Sequence, residues 1–297
     1  MKITNKYNMP EILYDAVCAR QYSGEGVKKD FSVTELLKPS KQAILMKRHA
    51  DEVEQDASDL MWSFFGELVH LMLERVITTN PEKYKEYLSE NRYFITFMEK
   101  IISGGVDLYN KETKTIMDYK YTSAWTMYFN GREEWEQQLN IYAKLLREAG
   151  YEVDHLKIIT IFRDWQKKMV GIKKGKHEYP QNKFMVIDLP LWSDFEVDCF
   201  LNNRLYELES YSKLPDDEIP DCKDKWSSES FFGVYSSGGK CYKKFDTESD
   251  AEAWLIEKGY KGCSIKEQKG VDRLCQSYCP VKQFCSYGRA LQSVIEE

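Results

Sequence analysis

Asp107 and Asp118 carry the strongest chemical signal in the chain. Asp107 closes the apolar stretch Ile101-Ile102-Ser103-Gly104-Gly105-Val106, and Asp118 follows Ile116-Met117, two residues before Lys120. Two carboxylates at the ends of adjacent apolar runs offer the hard oxygen ligands that Mg²⁺ and Mn²⁺ demand. An ammonium beside them can orient a water or neutralise charge developing on a phosphate. The chemistry such a set supports is metal-dependent hydrolysis of a phosphodiester. On a strand, Asp118 and Lys120 share a face because side chains alternate with period two. Tyr119 then points away and offers its backbone carbonyl as a further ligand. Taken alone, Asp-x-Lys is also what a strand edge carrying an ion pair looks like.

Three further pieces bear on the choice. His70 stands four residues after Gly66, on the same face of a helix; the glycine lets a backbone or a metal approach closely, and His70 becomes a candidate ligand. Glu67 and Glu74 flank it by about one turn and could orient the imidazole. Gln138 and Tyr142, also four apart, could contact a phosphate or base, or brace Lys120; with Leu139 and Leu146 they equally fit an ordinary amphipathic helix. Near the C-terminus, Cys275, Cys279 and Cys285 fall within eleven residues, enough for three corners of a [4Fe–4S] cluster or a Zn²⁺ site. Cys222, in Pro220-Asp221-Cys222, is the first choice for a fourth ligand, with Cys263, Cys241 and Cys18 as alternatives. Eight cysteines in a chain without a secretory signal argue for metal or buried thiols over disulfides.

The elements that must position these residues follow from periodicity. Residues 59–78 predict a helix, with Leu60, Met61, Phe64, Phe65, Leu68, Leu71, Met72 and Val76 at helical spacing. Tyr93–Phe97, Ile101–Tyr109 and Thr115–Tyr119 predict strands, the last two joined by a polar turn at Asn110–Thr113. Residues 132–149 return to helix and stop at Gly150. Val153–Arg163 and Phe184–Leu189 predict strands, and 192–213 a final helix. Residues 1–60 read as mostly helical, with Ser32 and Glu35 forming a capping box. The order helix, three strands, helix, strand, strand, helix predicts an α/β fold with a mixed sheet flanked by helices. The composition changes at Pro220, so residues 1–215 are expected to form a core with an N-terminal helical region. Residues 216–297 are expected to form a small cysteine-rich extension with a short helix near 247–258.

The net charge of −6 excludes a protein that coats nucleic acid through overall positive charge, but permits a local basic surface. The densest basic stretch is Lys167-Lys168 with Lys173-Lys174-Gly175-Lys176-His177; it reads either as a solvated loop or as a strand-contacting one. No run approaches the ~18 apolar residues of a membrane span, and the N-terminus has no apolar signal region. A cytoplasmic location is expected.

Together these motifs resemble the PD-(D/E)XK nuclease superfamily, and within it the RecB-like exonucleases that carry an iron–sulfur cluster, including phage-encoded relatives. Gly66 to His70 resembles the family's Gly-x-x-x-His motif, Gly105-Val106-Asp107 its metal aspartate, Asp118-Tyr119-Lys120 its (D/E)-x-K element, and Gln138 to Tyr142 its Gln-x-x-x-Tyr motif. Two features depart from the pattern. Lys38, before Pro39, stands where many members place their first cluster cysteine, and the C-terminal cysteines are spaced by three and then five residues where other members have two and then five. Cys222 before Trp226 resembles a phage-type variant. The resemblance implies a restriction-endonuclease-like fold and hydrolysis of DNA, most simply by an exonuclease of recombination, repair or phage and mobile-element processing. It implies His70, Asp107, Asp118 and the Tyr119 carbonyl around Mg²⁺ or Mn²⁺. Lys120, Gln138 and Tyr142 would act on the substrate, and Cys222, Cys275, Cys279 and Cys285 would hold the cluster, with Zn²⁺ as the alternative. Arg163, at the end of the next strand, would meet DNA phosphate or pair with Asp164. DNA is the expected partner, with no membrane; an oligomer or a recombination partner protein stays open. The alternative function is a noncatalytic DNA-binding or assembly subunit that retains the nuclease fold.

Overall fold

The structure, a computed structural model, describes residues 2–19, 26, 28–128, 133–174 and 177–295. Gly175 and Lys176 of the basic stretch lie outside the described residues. The chain forms two compact units. One contains the chain through Lys38 together with Glu54–Ser210; the other contains Pro39–Val53 and the residues from Tyr211 onward.

The first unit contains β1 (Lys2–Thr4), α1 (Glu11–Cys18), β2 (Phe31–Ser32), α2 (Val33–Leu37), β3 (Glu54–Asp56), α3 (Met61–Thr79), β4 (Tyr87–Phe97), β5 (Lys100–Asn110), β6 (Thr115–Thr122), α4 (Glu133–Glu148), β7 (His155–Phe162), β8 (Phe184–Leu189) and α5 (Asp194–Tyr211). Its principal sheet runs β8-β7-β6-β5-β2, with β4 on the other edge of β5. Pairing is antiparallel except for β6 with β7 and β2 with β5. The result is a mixed α/β architecture with a mixed sheet flanked by helices. The expectation that residues 1–60 are mostly helical is corrected: this region also supplies three short strands, one of them pairing with β5 some seventy residues away.

Local chemistry explains most boundaries. Ser32 Oγ accepts from the Glu35 N–H (3.2 Å) and Glu35 Oε2 from the Ser32 N–H (2.6 Å), the reciprocal box that starts α2. Met98 and Glu99, at φ 48° and 59°, form the two-residue turn that joins β4 to β5, both in the left-handed conformation a tight hairpin of this kind requires. Gly150, at φ 89°, ends α4. α4 supplies much of the core: Leu139, Ile141, Ala143, Leu145 and Leu146 are fully buried, and each large side chain contributes about 1.5–3 kcal/mol.

α3 behaves differently. None of its residues is fully buried. Ser63, Gly66, Glu67, His70 and Glu74 form a polar stripe that lines a cavity. Because that stripe takes the inward side of the helix, Trp62, Phe65, Leu68, Met72 and Val76 are exposed.

In the second unit, Phe231–Tyr235 is the centre of an antiparallel three-stranded sheet between Cys241–Phe245 and Ser264–Gln268. The sequence pattern did not predict these strands. The helix Glu248–Lys258 starts at Thr247, whose side chain caps Asp250 N–H, and ends at Gly259 with φ 63°. The helix Ser40–Arg48 is tied in by Arg48 to Asp216 (2.5 Å), by His49 Nε2 to Asp216 (2.7 Å), and by His49 stacked on Phe284 at 3.9 Å. Among the described residues no helix is long and apolar enough to cross a membrane.

Candidate functional site

The site begins as a defect in the sheet. β6 pairs with β5 only from Asn110 to Leu108, and β2 takes up the same edge at Ser103 and Ile102. The edge of β5 between them is left unpaired where Gly104, Gly105 and Asp107 line a cavity of about 620 Å³. The register places Asp118 next in line opposite Asp107, one step beyond the last pair, Leu108 with Met117. On the other edge, Ser89 pairs with Leu108 and Asn91 with Val106, so Glu90 also stands opposite Asp107. Glu90, Asp107 and Asp118 therefore form a row of carboxylates across three neighbouring strands. Asp107 Oδ2 accepts the Tyr119 N–H at 2.8 Å, so a side chain satisfies backbone where the ladder has stopped.

His70 reaches this row from α3. Its Nδ1 lies 3.1 Å from Glu90 Oε1 and 3.6 Å from Asp107 Oδ2. One ligand atom from each of His70, Glu90 and Asp107 lies within 4.8 Å of the others. Burial works against a charged imidazole, but the Glu90 hydrogen bond and the charges of Asp107, Glu90 and Asp118 outweigh it and hold the pKa up to about 9. Tyr119 sets the other side of the ring, edge-on at 5.7 Å between centroids.

Asp107 and Asp118 are both buried. Burial first, then the neighbouring Asp118 charge, pushes the Asp107 carboxyl well above its usual range, against the pull of His70 and Lys120. Asp118 Oδ2 lies 2.7 Å from Lys120 Nζ, a buried ion pair. Lys120 Nζ also donates to Gln138 Oε1 at 2.8 Å. Gln138 Nε2 donates to Tyr142 OH (2.8 Å) and reaches Asp118 Oδ1 at 3.3 Å. Burial opposes the Lys120 charge, but Asp118 and Asp107 raise its pKa and keep it an ammonium. Burial also raises the Tyr142 hydroxyl, which stays neutral.

All the nuclease-type residues predicted from sequence thus line one cavity: His70, Asp107, Asp118, Tyr119, Lys120, Gln138 and Tyr142. Glu67 and Glu74 line it too, but the carboxylate on the imidazole nitrogen is Glu90. Sequence reasoning missed Glu90, Arg92 and Lys29, all on the cavity wall. The available signal for Glu90 was its place between polar residues directly before the predicted strand. Its φ of 54° is a strained setting for a non-glycine residue. Arg163 does not pair with Asp164, which binds Ser123 Oγ (2.6 Å) and the Ala124 N–H (2.7 Å); Arg163 lies 4.3 Å over the Trp62 ring.

In the second unit all four proposed cluster cysteines are free thiols. Cys222 lies close enough to Cys275, Cys279 and Cys285 for their charges to act on one another. Burial is the main force raising the Cys222 and Cys279 thiols, and it pushes Cys275 up to about 11. Buried Lys41, held by Asp221 at 2.9 Å, feels both Cys285 and Cys222. Cys241 instead belongs to the three-stranded sheet, its Sγ 3.6 Å from the Lys243 carbonyl, and Cys18 belongs to the first unit.

No family model matches the chain, and no curated protein matches it. Among solved structures, the crystal structure of SSO0001 matches with a TM-score of 0.45 at 13% identity, over 72% of this chain and 88% of that one. A phage related exonuclease from Haemophilus somnus 129PT matches with a TM-score of 0.30 at 14% identity, over 48% of this chain and 67% of that one. At these scores neither likeness bears on what the residues do.

Proposed function

We propose that this protein is a metal-dependent deoxyribonuclease, an exonuclease built on a restriction-endonuclease-like core. The observation that supports it is the row of Glu90, Asp107 and Asp118 opposite one another across three strands, with His70 and Lys120 in the same cavity. The donor set fits a divalent cation. Two buried carboxylates repel each other, and ligand atoms of His70, Glu90 and Asp107 converge beside them; a bound cation relieves the repulsion. His70, Asp107, Asp118 and the Tyr119 carbonyl would hold Mg²⁺ or Mn²⁺, with Glu90 as an added ligand. When bound, the ion supplies Lewis-acid activation of water and phosphate.

The chain's own groups do the rest. Lys120 stays charged beside the carboxylates and neutralises negative charge that develops on the phosphate. Gln138 fixes the ammonium through its carbonyl, and Tyr142 fixes Gln138. Glu90 and Asp107 orient the imidazole of His70. Arg92 and Lys29 put positive charge on the cavity wall of an otherwise acidic protein, where a polyanionic strand enters. In the second unit, Cys222, Cys275, Cys279 and Cys285 would hold a [4Fe–4S] cluster that clamps the cysteine-rich fold, in which Lys41 offsets thiolate charge.

The test is digestion of end-labelled linear DNA with Mg²⁺ or Mn²⁺, wild type beside Asp118→Ala. Metal-dependent cleavage by the wild type alone is expected. Full activity in folded Asp118→Ala, or none in folded wild type on any DNA form, refutes the proposal.

A further inference from the structure

We infer that Trp62, flanked by Arg163 and Phe65, is a stacking platform for an unpaired nucleobase of the strand being cut. The inference rests on the proposed nuclease activity and names the form of its substrate: DNA that is single-stranded where it passes α3.

Trp62, Gly66 and His70 recur at four-residue intervals, so they follow one ridge of the helix, with Trp62 at the exposed edge of the cavity-lining stripe. The ridge spans about 12 Å from tryptophan to histidine at 1.5 Å per residue. Gly66 and His70 line the cavity. A Cβ built at Gly66 meets no atom within 4 Å, so the ridge is open between the site and Trp62.

Trp62 is 56% exposed, with Arg163 already 4.3 Å over its ring. Phe65 flanks it at 6.1 Å between centroids and is itself 6.5 Å from Tyr121, the residue after Lys120. An indole that presents over half its surface beside a guanidinium offers a base both a π-face and a cation. Every base has such a face, so the platform tolerates any sequence. A base-paired strand keeps its faces stacked inside the duplex, so the platform discriminates for unpaired DNA. Lys167 and Lys168 follow Arg163 in the same connection and are exposed, which adds positive charge for the backbone.

The test measures binding in the Asp118→Ala background, where the strand is not consumed. The probes are a short fluorescein-labelled oligothymidylate and copies with one abasic residue at successive positions. Adding Trp62→Ala is expected to weaken binding of the intact strand roughly tenfold, the usual scale for one stacked base, and Trp62→Phe to restore part of it. At one position the abasic residue weakens binding to the Trp62 protein by the same factor and does nothing further to Trp62→Ala. Equal affinities for the intact strand with and without Trp62, or abasic penalties that are the same in both proteins, overturn the platform. If wild type still cuts DNA, only the platform falls; if folded wild type neither binds nor cuts DNA, the nuclease proposal falls and takes the platform with it.

Discussion

Gly104→Ala adds a single methyl group where β5 closely approaches α4. The new Cβ would lie 2.7 Å from Leu145 Cδ1 and 2.7 and 2.9 Å from two ring carbons of Tyr142. Real Cβ contacts do not come this close, so something must move. Leu145 is fully buried and Tyr142 nearly so, which leaves neither side chain room to swing aside. Overpacking of this kind costs about 1–3 kcal/mol. Replacing a glycine returns about 0.4–1 kcal/mol by restricting the unfolded chain. A net loss of about 1–2 kcal/mol is expected, which lowers the melting temperature by roughly 2–8 °C for a unit of this size. The displaced ring also carries the hydroxyl that holds Gln138, and Gln138 holds Lys120. Activity should therefore drop at temperatures where the variant is still folded. Thermal melts followed by circular dichroism, alongside digestion of end-labelled DNA, measure both effects. A Gly104→Ala protein as stable and as active as wild type would refute the close strand–helix contact and the positioning of Lys120 through α4.

Three other outcomes are expected. Glu90→Gln keeps the size of the side chain but removes its charge from the carboxylate row; calorimetric titration should show Mn²⁺ affinity lowered about 10–100-fold with the fold intact, the scale for groups that ligate or orient ligands. Asp56 accepts from the Lys6 N–H (2.6 Å), which is the chief cause of a pKa lowered from 3.8 to about 2. A depressed carboxylate stabilises the fold above its unfolded value and loses that contribution as pH falls through the folded one, so Asp56→Asn should flatten the stability profile between 3.8 and about 2 in denaturant melts against pH. Protein purified without oxygen should contain iron and acid-labile sulfide; Cys222→Ser should lose most of both, and an unchanged iron content in that variant would exclude Cys222 as a ligand.

Much of the first unit was legible because its elements are strongly periodic or clearly punctuated. α3 and α4 fall within a residue or two of the spans read from apolar spacing, and Gly150 stops α4 as a left-handed glycine does. The motif residues were legible because period two puts Asp118 and Lys120 on one face, and a four-residue interval does the same for Gln138 and Tyr142. Glu90 was hidden for a physical reason. β4 begins at Tyr87, but Ser89-Glu90-Asn91-Arg92 has no apolar alternation, so the strand was read only from Tyr93. A strand that points polar groups into a cavity loses the pattern that would reveal it. The pairing of Phe31 with Ile102 is a long-range contact with no local signature. In α3 the spacing was right, but which stripe faces inward depends on the cavity, and the sequence does not contain that choice.

The central claim is that one cation site is built from Asp107 and Asp118 together. Its most direct test is titration of Mn²⁺ followed by electron paramagnetic resonance, in which the signal of the free hydrated ion disappears on binding. Wild type should remove Mn²⁺ from the free pool, while Asp107→Ala and Asp118→Ala, with unchanged circular dichroism, should not. Equal uptake by all three proteins, or none by folded wild type, would contradict the account.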